Sequence, residues 1–480
     1  MSASIGRALG LISSPFIVSS LSRVGIQVLA FAQVVVASRY LDLSEYGLFA
    51  IASAIAVIVC SLLYTGFYEG LLRAPKIETE APTVAVLLFG LGSVFALGMA
   101  GAALVVGRAS AFGALLLPLA MVPILAAPTA WCEALGVRRG MVRANAVLTL
   151  LAEFLGFLAL VVALERGLGP VALVWGRLAA TVASLAMKAF MAGSMRPFGF
   201  DRVQARQALI RARPLYASAV AKLFSGYSGD FMLALFLSPT AVGAFRAGSR
   251  VANTGAEVIV RPIHAIAWSH FARLERAEGQ GAREQLSGAW RQNTAFLTAI
   301  AWPSLAGLAL VSEPITAILL GAEWLAAAPI IAVLACARAI AAADFLVDPV
   351  LVCSGRSDLQ MRLRICGAVL AVTFVTIAAP WGAEAAAIGL AIAAVSTSSV
   401  ALLMAKRVLE LTWTGLLTSL RPAAGLTVVV VGAALVADNL AATSFAPDTT
   451  LFAVIAIGGV MWLASFGLLL VRGRLVLPRV

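Results

Sequence analysis

The chain has 480 residues, 61% hydrophobic and 12% charged, with a mean hydropathy of +0.99. Soluble globular domains are about half apolar and a quarter charged, so this composition excludes a soluble fold. A net charge of +12 would raise nucleic acid as a partner for a soluble protein, but here the cations fall between long apolar stretches, which excludes nucleic acid.

A helix needs about 20 mostly apolar residues to cross a bilayer, and the chain supplies about fourteen such stretches. The first six are Phe16–Ala37, Tyr46–Tyr68, Thr83–Val106, Phe112–Ala130, Ala144–Leu164 and Val171–Met191. The next six are Leu215–Leu237, Gly243–Ile266, Gln292–Val311, Leu325–Val352, Arg362–Pro380 and Glu384–Met404. Pro422–Val436 and Thr450–Val471 close the series. The first stretch has the outline of a secretory signal, with Arg7 before it and Ala30-Phe31-Ala32 inside it. Arg23 interrupts the apolar run where a signal core is uncharged, so the segment reads as a first transmembrane helix. Pro329 and Pro349 interrupt the tenth stretch.

With the N-terminus inside, 25 basic residues fall in loops and at helix ends on that side and three on the other, Arg39, Arg108 and Arg166. A missing helix would invert every later loop, so the bias supports the map and places both termini in the cytoplasm. The expected fold is all-α: a polytopic membrane protein of two six-helix lobes plus two added helices. The lobes are 1–192 and 215–407, joined by a basic cytoplasmic linker at 193–214, and residues 408–480 hold the last two helices. The stretches Leu43-Ser44-Glu45-Tyr46-Gly47-Leu48-Phe49 and Pro239-Thr240-Ala241-Val242-Gly243-Ala244-Phe245 share a Gly and a Phe at one offset. They stand in equivalent places of the two candidate lobes, as parallel repeats would.

Seven cations remain inside the helices: Arg23, Arg177, Lys222, Arg246, Arg250, Arg261 and Arg338. Five acids accompany them: Glu153, Asp230, Glu257, Asp344 and Asp348. A charge at mid-helix costs about 2.5–3.5 kcal/mol on the mildest scales, so such residues are paired, functional, or snorkel near a helix end. Arg177 and Arg261 suit snorkelling. In the eighth helix Arg246, Arg250, Asn253, Glu257, Arg261 and His264 fall within roughly 80° of arc at ~100° per residue. Such a stripe must face the bundle interior or a water-filled cavity. Lys222 and Asp230 on the seventh helix, and Arg23 and Gln27 on the first, add to it. Glu257 between Arg250 and Arg261, and Asp230 with Lys222, could neutralise part of the stripe internally. The cations still outnumber the acids, and an excess of arginine suits a phosphate-bearing ligand through the planar guanidinium fork.

On the tenth helix, Arg338, Asp344 and Asp348 form a net acidic set that could hold a coupling ion or seal the second lobe as a charge pair. Catalytic signatures and a phosphate-binding P-loop are missing from the sequence, and the outer loops are too short to hold a glycan ligase or polymerase site. Two histidines and five cysteines without CxxC spacing give no metal site.

Three features resemble the polysaccharide-exporter branch of the multidrug/oligosaccharidyl-lipid/polysaccharide transporter superfamily, the O-antigen and exopolysaccharide flippases. They are the stretch Ala37 to Phe49, the stretch Gly321-Ala322-Glu323-Trp324 followed by Ala327-Ala328-Pro329, and the count of twelve helices plus two. The resemblance implies two lobes around a cationic cavity and translocation of undecaprenyl-diphosphate-linked oligosaccharide across the bacterial inner membrane by alternating access. It also implies membrane lipids and polysaccharide polymerase and export machinery as partners, and neither cofactor nor enzymatic activity. Arg23 and Arg250 match cavity arginines of related peptidoglycan-precursor flippases, whereas the second helix lacks the arginines those proteins carry there. The expected binding set is Arg23, Gln27, Lys222, Arg246, Arg250, Asn253 and Glu257, with Asp230, Asp344 and Asp348 for ion coupling. A cation-coupled drug exporter is the alternative within the superfamily, and a membrane-embedded glycan ligase or polymerase the alternative outside it.

Overall fold

The computed structural model describes residues 15–75, 77–193, 199–276, 282–442 and 447–476. Their regular secondary structure is entirely helical, as the composition requires, because a backbone crossing lipid must satisfy its own hydrogen bonds. Among the described residues, twelve helical spans are long and apolar enough to cross a membrane, against about fourteen expected. The two expected stretches outside that set are α9 (Arg202–Phe236) and α10 (Pro239–Arg276), of 35 and 38 residues. At 1.5 Å per residue they run about 52 and 57 Å, ample for a bilayer core of about 30 Å. Their charged residues, not their length, keep them below the apolar threshold.

By its internal contacts the chain divides into two units, Met1–Gly243 and Ala244–Val480. The expected linker at 193–214 is continuous with the next helix from Arg202 onward.

In the first unit, α1 (Pro15–Ala37) packs on α7 (Val142–Glu165). The second stretch is two helices, α2 (Leu43–Leu63) and α3 (Gly66–Leu72). A reciprocal capping box starts α2: Glu45 N donates to Asp42 Oδ1 at 2.8 Å and Asp42 N to Glu45 Oε2 at 3.2 Å. Beyond it come α4 (Ile77–Val106), α5 (Ala111–Leu119), α6 (Met121–Arg138) and α8 (Val171–Lys188). α6 runs eight residues past the expected end of its stretch, which draws Glu133 into the helical body. The buried indole of Trp131 donates to Ala81 O at 2.8 Å, tying α6 to α4.

The repeated glycines meet. A Cβ on Gly47 would lie 1.8 Å from Pro239 O, and one on Gly243 would lie 2.0 Å from Leu43 O. In each case the obstructing carbonyl belongs to the residue four before the other glycine. The first turns of α2 and α10 therefore cross backbone against backbone, in a two-fold-like arrangement that only glycine permits.

In the second unit, α11 (Ala282–Leu310) packs on α17 (Trp413–Ala442), and α17 on α18 (Pro447–Val471). Trp462 on α18 donates its indole N–H to Ala299 O at 3.1 Å. α15 (Ser357–Ala378) pairs with α16 (Ala383–Val408). After the short α12 (Ser312–Leu319), the tenth stretch is broken into a 3₁₀ turn Ala322–Ala327, α13 (Ala328–Ala341) and α14 (Val347–Cys353). The break falls at 342–346, immediately ahead of Pro349, which has no amide to bond the carbonyl of Phe345 four residues before it. Pro329 and Pro349 both occupy first turns, Pro329 of α13 and Pro349 of α14, where the missing amide has no intrahelical partner to lose.

Candidate substrate-binding site

On α10 the side chains of Arg246, Arg250, Asn253, Glu257, Arg261 and His264 are all half-buried. The adjoining sector, Ala252, Ala256, Val260, Ile263 and Ala267, is buried in the core of the second unit. The helix is thus anchored by its small and aliphatic face, and its polar residues share the other, half-buried face.

Arg261 grips Glu257 with two hydrogen bonds, Nε to Oε2 at 2.7 Å and Nη2 to Oε1 at 2.9 Å. This bidentate i,i+4 pair corrects the snorkelling expectation for Arg261 and realises part of the internal neutralisation. Arg177 is likewise paired, 3.5 Å from Glu153 across the α7–α8 interface. Asn253 accepts a hydrogen bond from Arg338 Nε at 2.9 Å. Arg338, expected to belong with the acids of its own helix, joins the stripe instead. Sequence reasoning missed this because α13 stops at Ala341, so Arg338 and the two aspartates do not share one continuous helical face. The stripe then brings Arg246, Arg250, Arg261 and Arg338 together with the carboxylate of Glu257. His264 stacks edge-on to Phe345, ring centroids 5.0 Å apart, at the cytoplasmic end expected for the helix.

In the first unit, Arg23 is exposed on α1 and has no hydrogen-bond or ion-pair partner among the described residues. Gln27, one turn on, is half-buried. The side chains of Lys222 and Asp230 lie outside the described residues. Asp348 is bound to Arg364 at 2.5 Å. Asp344 is half-buried in the break between α13 and α14, in reach of the Ser398 hydroxyl, and forms no ion pair among the described residues.

A second polar centre, missed in the sequence, lies within the first unit. Glu133 accepts from Lys188 Nζ at 2.8 Å, Asn145 Nδ2 at 3.1 Å and Tyr68 Oη at 3.2 Å. Lys188 is 2% exposed. Four helices, α3, α6, α7 and α8, converge on this carboxylate. In the sequence, Lys188 counts with the cytoplasmic charges at the end of the stretch Val171–Met191, and Glu133 falls beyond the expected end of Phe112–Ala130.

An apolar groove of about 310 Å³ lies between α11, α17 and α18, lined among others by Pro303, Gly307, Ala434, Gly458 and Trp462. It holds no charged group for a phosphate and is separate from the stripe in character.

The sequence matches the polysaccharide biosynthesis protein family over residues 36–329. The chain belongs to that family. It is 25% identical over 335 residues to the succinoglycan biosynthesis transport protein ExoT of Rhizobium meliloti (strain 1021). That alignment takes in 67% of this chain and 65% of the relative, just under two thirds of the relative's length. Among solved structures, the lipid II flippase MurJ in an inward closed conformation superposes with a TM-score of 0.76 at 10% identity, covering 94% of this chain and 98% of that one. An inward-facing multidrug resistance MATE transporter of the MOP superfamily gives 0.60 at 16% identity, covering 82% and 98%. The fold is therefore that of this transporter superfamily, and the chain is a multi-pass membrane protein.

Proposed function

We propose that this family member is a flippase that carries a polyprenyl-diphosphate-linked oligosaccharide across the bacterial inner membrane for exopolysaccharide, O-antigen or capsule synthesis. The observation that supports the reading is the half-buried polar stripe of α10, with Arg246, Arg250 and Arg261 on one face and Arg338 of α13 bonded to its Asn253, in a helix otherwise packed as a membrane core. Guanidinium groups bind phosphate oxygens by paired, charge-assisted hydrogen bonds, and a diphosphate presents the anionic oxygens that such a cluster of arginines suits. Arg246 and Arg250 contact it, Arg338 and Asn253 fix the register, and Arg23, Gln27 and Lys222 complete the binding set. The prenyl tail remains in the bilayer. α9 and α10 cross the membrane despite their charges, which gives fourteen passes with both termini in the cytoplasm. Alternating access of the two lobes moves the headgroup.

Asp344 is the proposed coupling group, because Asp348 is already engaged by Arg364. The alternative of a cation-coupled drug exporter has fold support, but a cationic stripe repels the cationic drugs such a transporter would bind.

Arg250→Ala removes a charge-assisted contact, and losses of this kind run at about 1.5–3 kcal/mol, or roughly 10- to 100-fold. The expected result is loss of surface polysaccharide in a strain that depends on this chain, at unchanged membrane abundance. Normal export would sink the assignment. Asp344→Asn is expected to keep binding of a polyprenyl diphosphate to the purified protein while transport loses its response to an imposed ion gradient. An unaltered response would remove Asp344 from coupling.

A further inference from the structure

The cytoplasmic start of α9 is built for something other than carrying the chain into the bilayer. Gly199 lies against Pro82, where an added Cβ would be 3.1 Å from the ring. Asp201 N donates to Thr83 Oγ1 at 3.2 Å, and Arg211 forms an ion pair with the buried Glu80. The α9 residues Asp201 and Arg211 are ten apart, about 15 Å along a helix, whereas Thr83 and Glu80 are three apart, about 4.5 Å. Even with the reach of an arginine side chain, the first turns of α9 must therefore run across the end of α4, not alongside it. The end of α4 is the end of a membrane span, so this segment lies at the level of the lipid headgroups.

Its two faces are chemically distinct. Ala205, Ala208 and Ala212 are buried in the first unit, the last two in its main core cluster. The opposite face presents Val203 and Ile210, 63% and 54% exposed, and Phe200 just before the helix is 60% exposed. Arg202, Arg206 and Arg213 are exposed among them. Large apolar side chains interleaved with arginines, on a segment pinned from behind, are what an interfacial helix needs: the apolar groups enter the acyl boundary and the cations meet headgroup phosphates. Topology alone would explain the arginines but not the exposed Phe200, Val203 and Ile210.

We propose that the outer face of residues 200–213 is a binding surface for anionic lipid headgroups of the cytoplasmic leaflet. Asp201 is spent on Val203 N at 2.8 Å, so it caps the helix and does not oppose the arginines on the far face. The surface is independent of the α10 stripe and does not rest on the identity of the transported substrate.

The test uses the full chain with Cys60, Cys132, Cys336, Cys353 and Cys366 replaced by serine and a bimane label on Ile210→Cys, in lipid nanodiscs. Brominated phosphatidylglycerol should quench the label several-fold more than brominated phosphatidylcholine at equal mole fraction and low salt. The preference should collapse in the triple variant Arg202→Gln, Arg206→Gln, Arg213→Gln and at high salt, where the Debye length is about 3 Å. A thermal melt of the triple variant in detergent confirms that it folds. Arg250→Ala should leave the preference intact, so failure of the transport reading and failure of this one are distinguishable. Equal quenching by both lipids, or quenching by neither, overturns the proposal. So does shielding of the label in native membranes but not in nanodiscs, which assigns the face to a protein partner.

Discussion

Lys188→Ala is expected to destabilise the protein by about 3–5 kcal/mol, the range for breaking a buried ion pair by removing one partner. The lysine is 2% exposed and bonded to Glu133 at 2.8 Å, so its removal strands a carboxylate among four packed helices. Tyr68 and Asn145 still donate to that carboxylate, but neither supplies charge. The thermal midpoint in detergent and the amount of protein in the membrane should both fall sharply. The double variant Glu133→Gln, Lys188→Met should recover most of the loss, because neutral groups of similar size replace both ions. If the double variant is as unstable as Lys188→Ala, packing and not charge holds the site, and the ion-pair account is wrong.

Gly47→Val and Gly243→Val should each be severely disruptive, for a reason that owes nothing to side-chain packing. Each new Cβ would sit 2.0 Å or less from a backbone carbonyl oxygen, and a backbone atom cannot change rotamer to escape. Overpacking a well-filled core costs about 1–3 kcal/mol; here two helix starts must separate as well, so the effect should reach or exceed the top of that range. The glycines obstruct one another's replacement across a single crossing, so the double variant should cost little more than either single one. That departure from additivity is what contact between the sites demands. Wild-type stability of Gly47→Ala, or two additive losses, would show that the crossing is looser than described.

These two sites also show where reading the sequence succeeds and where it stops. The glycine repeat was visible as two matches in seven residues, because a backbone crossing leaves a compositional trace: only one residue type fits. The stripe of α10 was visible for a similar reason, since helical periodicity places spaced charges on one face whatever surrounds them. The Glu133 centre left no such trace. Its members come from four helices, and the assignment of Glu133 and Lys188 to loops hid them among charges that the orientation of the chain already explained. Arg338 goes with the acids because Pro349 reads equally as a bend in one long helix and as the first turn of a new one, and only the second separates Arg338 from Asp344 and Asp348. The paired state of Arg177 depends on Glu153 in the neighbouring helix, a contact between segments that no local pattern encodes.

The end of α6 and the turn that follows it carry a consequence for how the chain is made. Arg138 donates to Leu72 O at the end of α3, and Arg139 donates to Met191 O at 2.9 Å in the turn after α8. Lys188 and Arg211 are held by Glu133 and Glu80. In the proposed orientation, with the N-terminus inside, all four belong to the cationic segments that keep a nascent chain from crossing the membrane. The same residues therefore act twice, first as brakes during insertion and later as ties between finished helices. A segment threaded the wrong way would leave those carbonyls and carboxylates without their cations, so folding itself tests the outcome of insertion. Moving a basic residue from 138 or 139 to a neighbouring position in the same turn would preserve the brake and lose the tie, which separates biogenesis from stability with one pair of substitutions.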